Sequence, residues 1–380
     1  MNTPLAICAP NLGAVSETFI QRHMKDLLPN KVVIVANSNK KPYCGHWTVD
    51  APSLVINNIE VTGLKLGLKN YLGRKLFKQS NQESINLAIE NFLKHHQVKV
   101  ILGEYLNYAF SYFEIAQKLK IPYFAHAHGA DVSIYLRQEK WRKKYKQYQQ
   151  ATGIITMNQI SRKRLIDLGI EEHKIHVIPY GVDTPNEPIK RQKNELIRCL
   201  AVGRMVGKKA PILLLESFRR ATKNYPNLQL DYVGTGDLLP AVKQFIHAFQ
   251  LEDKVILHGK QPNEFVLQLM KKADIFLQHS IVDPDSGDEE GLPVAILEAM
   301  GYCLPVISTR HAGIPESVLE GETGLLVDEG NVEEMAQNIL ELAQDFDLRQ
   351  QMGLAGWQRV KECFSWEKER KQLLEVMQLA

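Results

Sequence analysis

Short β-branched and apolar runs recur along the whole chain, each followed by a longer stretch with helical periodicity. That alternation restricts the chain to parallel sheet covered by helices. Runs at 5–10, 31–36, 53–57, 98–105, 122–129, 153–158 and 174–181 predict a first series of strands. Runs at 196–204, 228–236, 254–259, 275–280, 304–310 and 324–328 predict a second. Between them lie the turn formers from Gly181 to Pro188 and the charged segment from Lys190 to Glu195, which read as a domain linker. Two sheets of about six or seven strands fit domain-size limits better than one very large sheet. The expected organisation is therefore α/β, with one Rossmann-like domain over 1–185 and a second over 190–360.

Composition narrows the class. A chain of 380 residues can bury more than one hydrophobic core. Cys8, Cys44, Cys199, Cys303 and Cys363 are odd in number, scattered and without a C-x-x-C pair, which argues against a disulfide framework or a cysteine-rich metal site. A net charge of +3 names no polyanionic partner, so no nucleic acid is expected. No basic leader precedes an apolar stretch and no uninterrupted apolar run approaches the ~20 residues of a membrane span. The expected location is cytoplasmic.

In open parallel sheets, ligands bind beyond the carboxyl ends of the strands. The segment from Gln278 to Val318 begins at such an end. Pro293 suits a first helical turn, so Gly291 and Leu292 are expected to offer free backbone N–H groups at a helix tip, an anion site suited to a diphosphate. Glu290 and Glu298 stand eight positions apart, and a carboxylate can accept two hydrogen bonds from a diol. An isolated pair at that spacing also reads as a cap charge and a solvated helix residue. After the first strand of the second series, Arg204 and Lys209 are placed to converge on a departing diphosphate, or simply to face water; Lys208 competes with Lys209. Gly234 and Gly236 permit close backbone approach, but the third glycine of a dinucleotide fingerprint is missing.

In the first half, His126 and His128 alternate at a strand end before Gly129 and Asp131. No third ligand lies at close spacing, so no metal is expected. Gly13 sits in the loop after the first strand, with Ser16 as a helix cap. Two basic stretches, Leu64 to Lys78 and Arg137 to Lys146, fit either a solvated face or an anionic membrane surface.

Taken together these residues resemble family 4 of the retaining glycosyltransferases, which have the GT-B fold. The resemblance rests on E-x7-E at Glu290 and Glu298, on Ala299-Met300, on Pro305 to Thr309, on Gly313-Ile314-Pro315-Glu316 and on the G-R-x4-K pattern at Gly203, Arg204 and Lys209. The acidic segment Asp283 to Glu289 and Ser16-Glu17-Thr18-Phe19 are similar to the exopolysaccharide and colanic-acid-type branch. The resemblance implies two Rossmann-like domains facing across a cleft, with a helix in 361–380 crossing back to the first domain. It implies a nucleotide-sugar donor, a UDP- or GDP-sugar, as substrate, with no separate cofactor and no essential metal. By resemblance Arg204 and Lys209 stabilise the leaving diphosphate, Glu290 meets the sugar, Glu298 the ribose, and amides near Gly291 and Leu292 the phosphates. Gly234, Gly236 and Gly13 would line the nucleotide cleft, and His128, or else His126, would contact the transferred sugar. The acceptor would be a glycan or a lipid-linked species, with peripheral contact at the inner membrane face. Ala210 departs from the family pattern, which has glycine there. The rival readings are an NAD-dependent two-domain oxidoreductase and a non-catalytic sugar-binding protein.

Overall fold

A computed structural model describes residues 5–13, 17–38, 47, 49–58 and 71–379, and of residues 38, 58 and 71–81 the backbone alone. Thirteen strands form two all-parallel sheets among the described residues. The first sheet contains β1 (Leu5–Asn11), β2 (Val32–Ser38), β3 (Ser53–Val55), β4 (Val100–Glu104), β5 (Tyr123–His126), β6 (Gly153–Thr156) and β7 (Ile175–Val177). The second contains β8 (Ile197–Val202), β9 (Leu228–Val233), β10 (Val255–Gly259), β11 (Ile275–Leu277), β12 (Val306–Thr309) and β13 (Gly324–Val327). Their orders are β3-β2-β1-β4-β5-β6-β7 and β10-β9-β8-β11-β12-β13. Each order reverses once, between β1 and β4 and between β8 and β11, and such a reversal opens a crevice at the carboxyl ends of the two strands.

The helices follow from apolar spacing. In the helix Leu106–Leu119, Leu106, Ala109, Phe110, Phe113 and Ala116 recur at three- and four-residue intervals and are buried against the first sheet. The helix Pro211–Asn224 opens on a proline, whose missing N–H costs nothing there, and buries Leu214, Leu215, Phe218 and Ala221.

Several strands stop short of the hydrophobic runs that predict them. The run 122–129 is strand only to His126, because the Asp131 carboxylate accepts the His128 N–H (2.8 Å) and turns the chain into the short helix Gly129–Val132. The run 174–181 is strand only over Ile175–Val177. Its remainder crosses between the domains beside the returning chain: the Val182 N–H donates to the Phe364 carbonyl (2.8 Å), and Gly181 passes so near Ser365 that a Cβ would stand 2.5 Å from its carbonyl oxygen. After that crossing, the helix Trp366–Val376 lays Leu373 and Leu374 on Leu5, Ile7 and Ile34 of the first sheet.

Candidate active site

The reversal between β8 and β11 brings two loops together, 203–210 after β8 and 278–293 after β11. Arg204 is exposed and, with Gly203, Gly234, Gly236, Lys260 and Glu298, lines a cavity of about 550 Å³. Packing alone requires glycine at 234 and 236: a Cβ on either would collide with the carbonyl oxygen of Gly203 or Met205. Their bareness lets the loop after β9 stack on the loop after β8. Glu298 projects from the helix Val294–Gly301, where its Oε1 accepts a hydrogen bond from Asn263 Nδ2 (2.8 Å). Burial raises its carboxyl above the usual range, against that hydrogen bond.

Glu290 is almost wholly enclosed, its side chain 9 % exposed. Lys209 Nζ stands 3.2 Å from its Oε2 and Lys208 Nζ 3.9 Å from its Oε1. Burial would raise the carboxyl, but the two ammonium groups outweigh it and hold the acid below its ordinary value. Burial in turn lowers Lys209, with Glu290 opposing. Lys208 is spent on the acidic loop, reaching Asp288 Oδ2 (2.9 Å) and the Glu289 carbonyl (3.0 Å), so the two lysines divide their roles. Glu290 Oε1 is a buried oxygen with no hydrogen-bond partner among the described residues.

Two residues that sequence reasoning did not single out hold this carboxylate in place. The Glu290 N–H donates to His311 Nε2 (3.1 Å). With that nitrogen accepting, the proton lies on His311 Nδ1, which faces Glu329 Oε1 at 2.6 Å. Glu329 Oε2 also accepts the Val282 N–H (2.8 Å), so the acidic loop is tethered at both ends. His311 sits just past a predicted strand, the one signal that could have found it.

Not every expected site residue reaches the cleft as foreseen. Pro293 is the cap, not the first helical residue, and Gly291 and Leu292 precede it. Leu292 is buried in the core, while the Gly291 carbonyl accepts from Asn158 Nδ2 (2.7 Å) of the first domain. The residues of the first helical turn at the cavity are Val294 and Ala295. The chain kinks at Pro293, whose extended ψ delays the helix by one residue. Gly13, two residues past β1, has φ 85° and lines neither this cavity nor its neighbour of about 250 Å³; residues 14–16 that follow lie outside the described residues, so the Ser16 cap does too. His128 is buried with both ring nitrogens engaged, by the Tyr180 hydroxyl (2.5 Å) and Glu104 Oε2 (2.9 Å), so it presents no free nitrogen to a sugar. Burial, with the neighbouring His126, brings its pKa down to about 4.

The first domain meets this site through Glu289, which is buried between Arg164 (2.7 Å) and Arg137 (3.4 Å). A smaller cavity of about 270 Å³ opens there, lined by Ser133, Arg137, Arg142 and Arg164. Of the basic stretches, 64–70 lies outside the described residues; in the other, Arg142, Lys143, Lys144 and Lys146 are exposed, and Lys144 caps the Trp141 ring at 5.0 Å. Among the described residues no helix is long and apolar enough to cross a membrane.

Two family models match the chain, one described as Glycosyltransferase Family 4 over residues 21–185 and one described as Glycosyl transferases group 1 over 183–359. The amylovoran biosynthesis glycosyltransferase AmsK of Erwinia amylovora is 32 % identical over 254 residues, 66 % of this chain and 62 % of that protein. The putative colanic acid biosynthesis glycosyltransferase WcaL of Escherichia coli is 29 % identical over 256 residues, 66 % of this chain and 63 % of its own. The matches thus span a little under two thirds of those relatives' length. In fold, a glycosyltransferase from Rickettsia africae superposes with a TM-score of 0.76 over 100 % of this chain and 98 % of its own at 17 % identity. HepE from Anabaena, solved with UDP, gives 0.75 over 99 % of this chain and 100 % of its own at 15 % identity.

Proposed function

The chain belongs to family 4 of the glycosyltransferases, of GT-B fold, and from that membership we propose that it moves a sugar from a nucleotide diphosphate sugar to a glycan or lipid-linked acceptor with retention of configuration. The observation that carries the reading is Glu290: two lysines keep its carboxylate charged in an enclosed position, and one buried oxygen still lacks a donor. A sugar hydroxyl supplies that donor, because a buried acceptor left unpaired costs about 1–3 kcal/mol.

The remaining roles follow from position. Glu298 holds the ribose diol from the cavity wall. Arg204 and the amides at Val294 and Ala295 meet the diphosphate, neutralising the charge that develops as the bond between the anomeric carbon and the phosphate oxygen breaks. Lys209 contributes to that field while holding Glu290. The acceptor oxygen bonds to the anomeric carbon on the face the phosphate leaves, and its proton passes to the departing phosphate oxygen. No side chain need act as nucleophile and no metal is invoked. UDP in HepE favours a uridine donor, and the names of AmsK and WcaL favour cell-surface polysaccharide synthesis. The exposed cations Arg142 to Lys146 would add about 1 kcal/mol each at an anionic leaflet.

Incubation with a panel of UDP-, GDP- and ADP-sugars, read by release of free nucleotide and by thermal shift, tests the proposal. One class of donor should both stabilise the protein and be consumed. Absence of binding and turnover with every donor, alongside a thermal shift with NAD, would return the oxidoreductase reading.

A further inference from the structure

In the sequence, the alternating pair His126 and His128 has no third ligand nearby. The fold brings one from each of two distant segments: Glu104 at the end of β4, and His23 in the helical turn His23–Leu27. One donor atom each from His23, Glu104 and His126 lie within 4.8 Å of one another, and all three side chains are fully buried. We propose that this cluster is a structural site for a divalent transition-metal ion, with zinc the best match to its donors. The site lies outside the glycosyl-transfer machinery and the inference does not depend on that reading.

Four observations support it. His126 is buried at 0 % exposure, yet neither of its ring nitrogens makes a hydrogen bond. Its Nδ1 lies 3.2 Å from Glu104 Oε2 without the alignment of a hydrogen bond, which leaves a lone pair for an ion. The donor set is imidazole nitrogen and carboxylate oxygen without thiol, which zinc accepts in closed, four-coordinate sites. His128 Nε2, 2.9 Å from the same carboxylate, stands beside the cluster as a candidate fourth donor.

The outer partners of a metal site are also in place. His23 turns its Nε2 to Glu369 Oε1 (3.1 Å) and His128 its Nδ1 to the Tyr180 hydroxyl (2.5 Å). Metal-bound imidazoles use such contacts on the far nitrogen to fix their tautomer. The buried carboxylates of Glu104 and Glu369 flank the two ring nitrogens of His23, so a dication bound there would displace the proton that His23 shares with Glu104 and take over its counter-charge.

Spacing sets what an ion would require. Zinc bonds of about 2.0–2.2 Å place tetrahedral ligands about 3.3 Å apart. His23 faces Glu104 Oε1 at 2.7 Å, whereas His126 and His128 face Oε2 at 3.2 and 2.9 Å, so the imidazoles would shift to converge on a single ion. With no solvent-exposed position the ion would be structural. Because Glu369 also accepts the Gly181 N–H (2.7 Å), it would fasten the interdomain crossing and the last helix to β4 and β5.

The full chain, purified without a polyhistidine tag, is tested for metal by inductively coupled plasma mass spectrometry and for melting temperature after chelator treatment and after return of zinc chloride. About one zinc per chain is expected, with a melting temperature that falls on stripping and recovers on return. His126→Ala, which removes one 3.2 Å contact to Glu104 and leaves the hydrogen bonds of His23 and His128 in place, should fold and lose the ion. His96→Ala, at the surface pair with His95, should keep it. A wild-type protein that is metal-free and whose melting temperature ignores zinc overturns the proposal, as does a His126→Ala protein that retains the ion. If His126→Ala fails to fold, cobalt is loaded into the wild type. The intense visible absorption of four-coordinate Co(II) is expected, and the weak spectrum of the hydrated ion overturns the site.

Discussion

Ala210 occupies a left-handed conformation, φ 36°, at the turn between the cation loop and the helix Pro211–Asn224. The family pattern has glycine there, and the structure gives the reason, since an L side chain in that region costs about 1–2 kcal/mol. Ala210→Gly is therefore expected to raise stability by up to about 1 kcal/mol after the entropy glycine adds to the unfolded chain, measured by urea unfolding. Arg204 is exposed at the cavity, so its removal should spare the fold and strike the chemistry. Arg204→Ala should lower turnover by at least about 100-fold with an unchanged melting temperature, and near-normal turnover would remove it from the site. Arg204 was singled out because it follows a predicted strand, and Glu290 and Glu298 because they bracket a predicted helix start at a fixed spacing. The engagement of both His128 nitrogens was not, since Tyr180 and Glu104 belong to other strands and loops.

The acidic loop 281–290 shows how an element without regular structure is made rigid. Asp283 Oδ1 accepts the N–H groups of Asp285 (3.1 Å) and Ser286 (2.8 Å), Lys208 grips the far side, and Glu329 with His311 ties the two ends. Glu329→Ala releases the Val282 N–H and the Nδ1 partner of His311 together. Loss of that tether is expected to lower kcat/KM about tenfold through misplacement of Glu290, with little change in nucleotide affinity measured by calorimetry. Equal activity would show that the loop holds its shape through Lys208 alone. None of this was legible as an element, because Asp, Ser, Gly and Glu in a loop carry no periodicity.

Across the molecule, two Rossmann-like bodies are joined by two neighbouring crossings, 181–183 and 364–366, and by polar contacts that reach across the cleft. Glu289 lies between Arg137 and Arg164, Asn158 donates to Gly291, and the Gln159 N–H meets the Glu316 carboxylate (2.9 Å). These contacts are polar and mostly charged, unlike the apolar cores on either side of them. The final helix makes a different attachment, an apolar one. Leu373 is fully buried against the first sheet, and Leu373→Ala should cost about 2–5 kcal/mol in guanidinium unfolding. A loss below about 1 kcal/mol would mean that the helix is dispensable to that core.

Alternation of hydrophobic period determined, from sequence alone, that the chain forms parallel sheets with helical crossovers, because which face of each segment is buried is a local property. It also placed the cations and carboxylates at strand ends, where any such sheet gathers its ligands. Tertiary structure alone decided which of those groups meet. It paired Lys209 with Glu290 and Lys208 with Asp288, set His311 beneath the Glu290 amide, and gathered His23, Glu104 and His126 from three segments. Such pairings depend on strand order and loop path, which are set by the packing of the whole fold and leave no trace in local spacing.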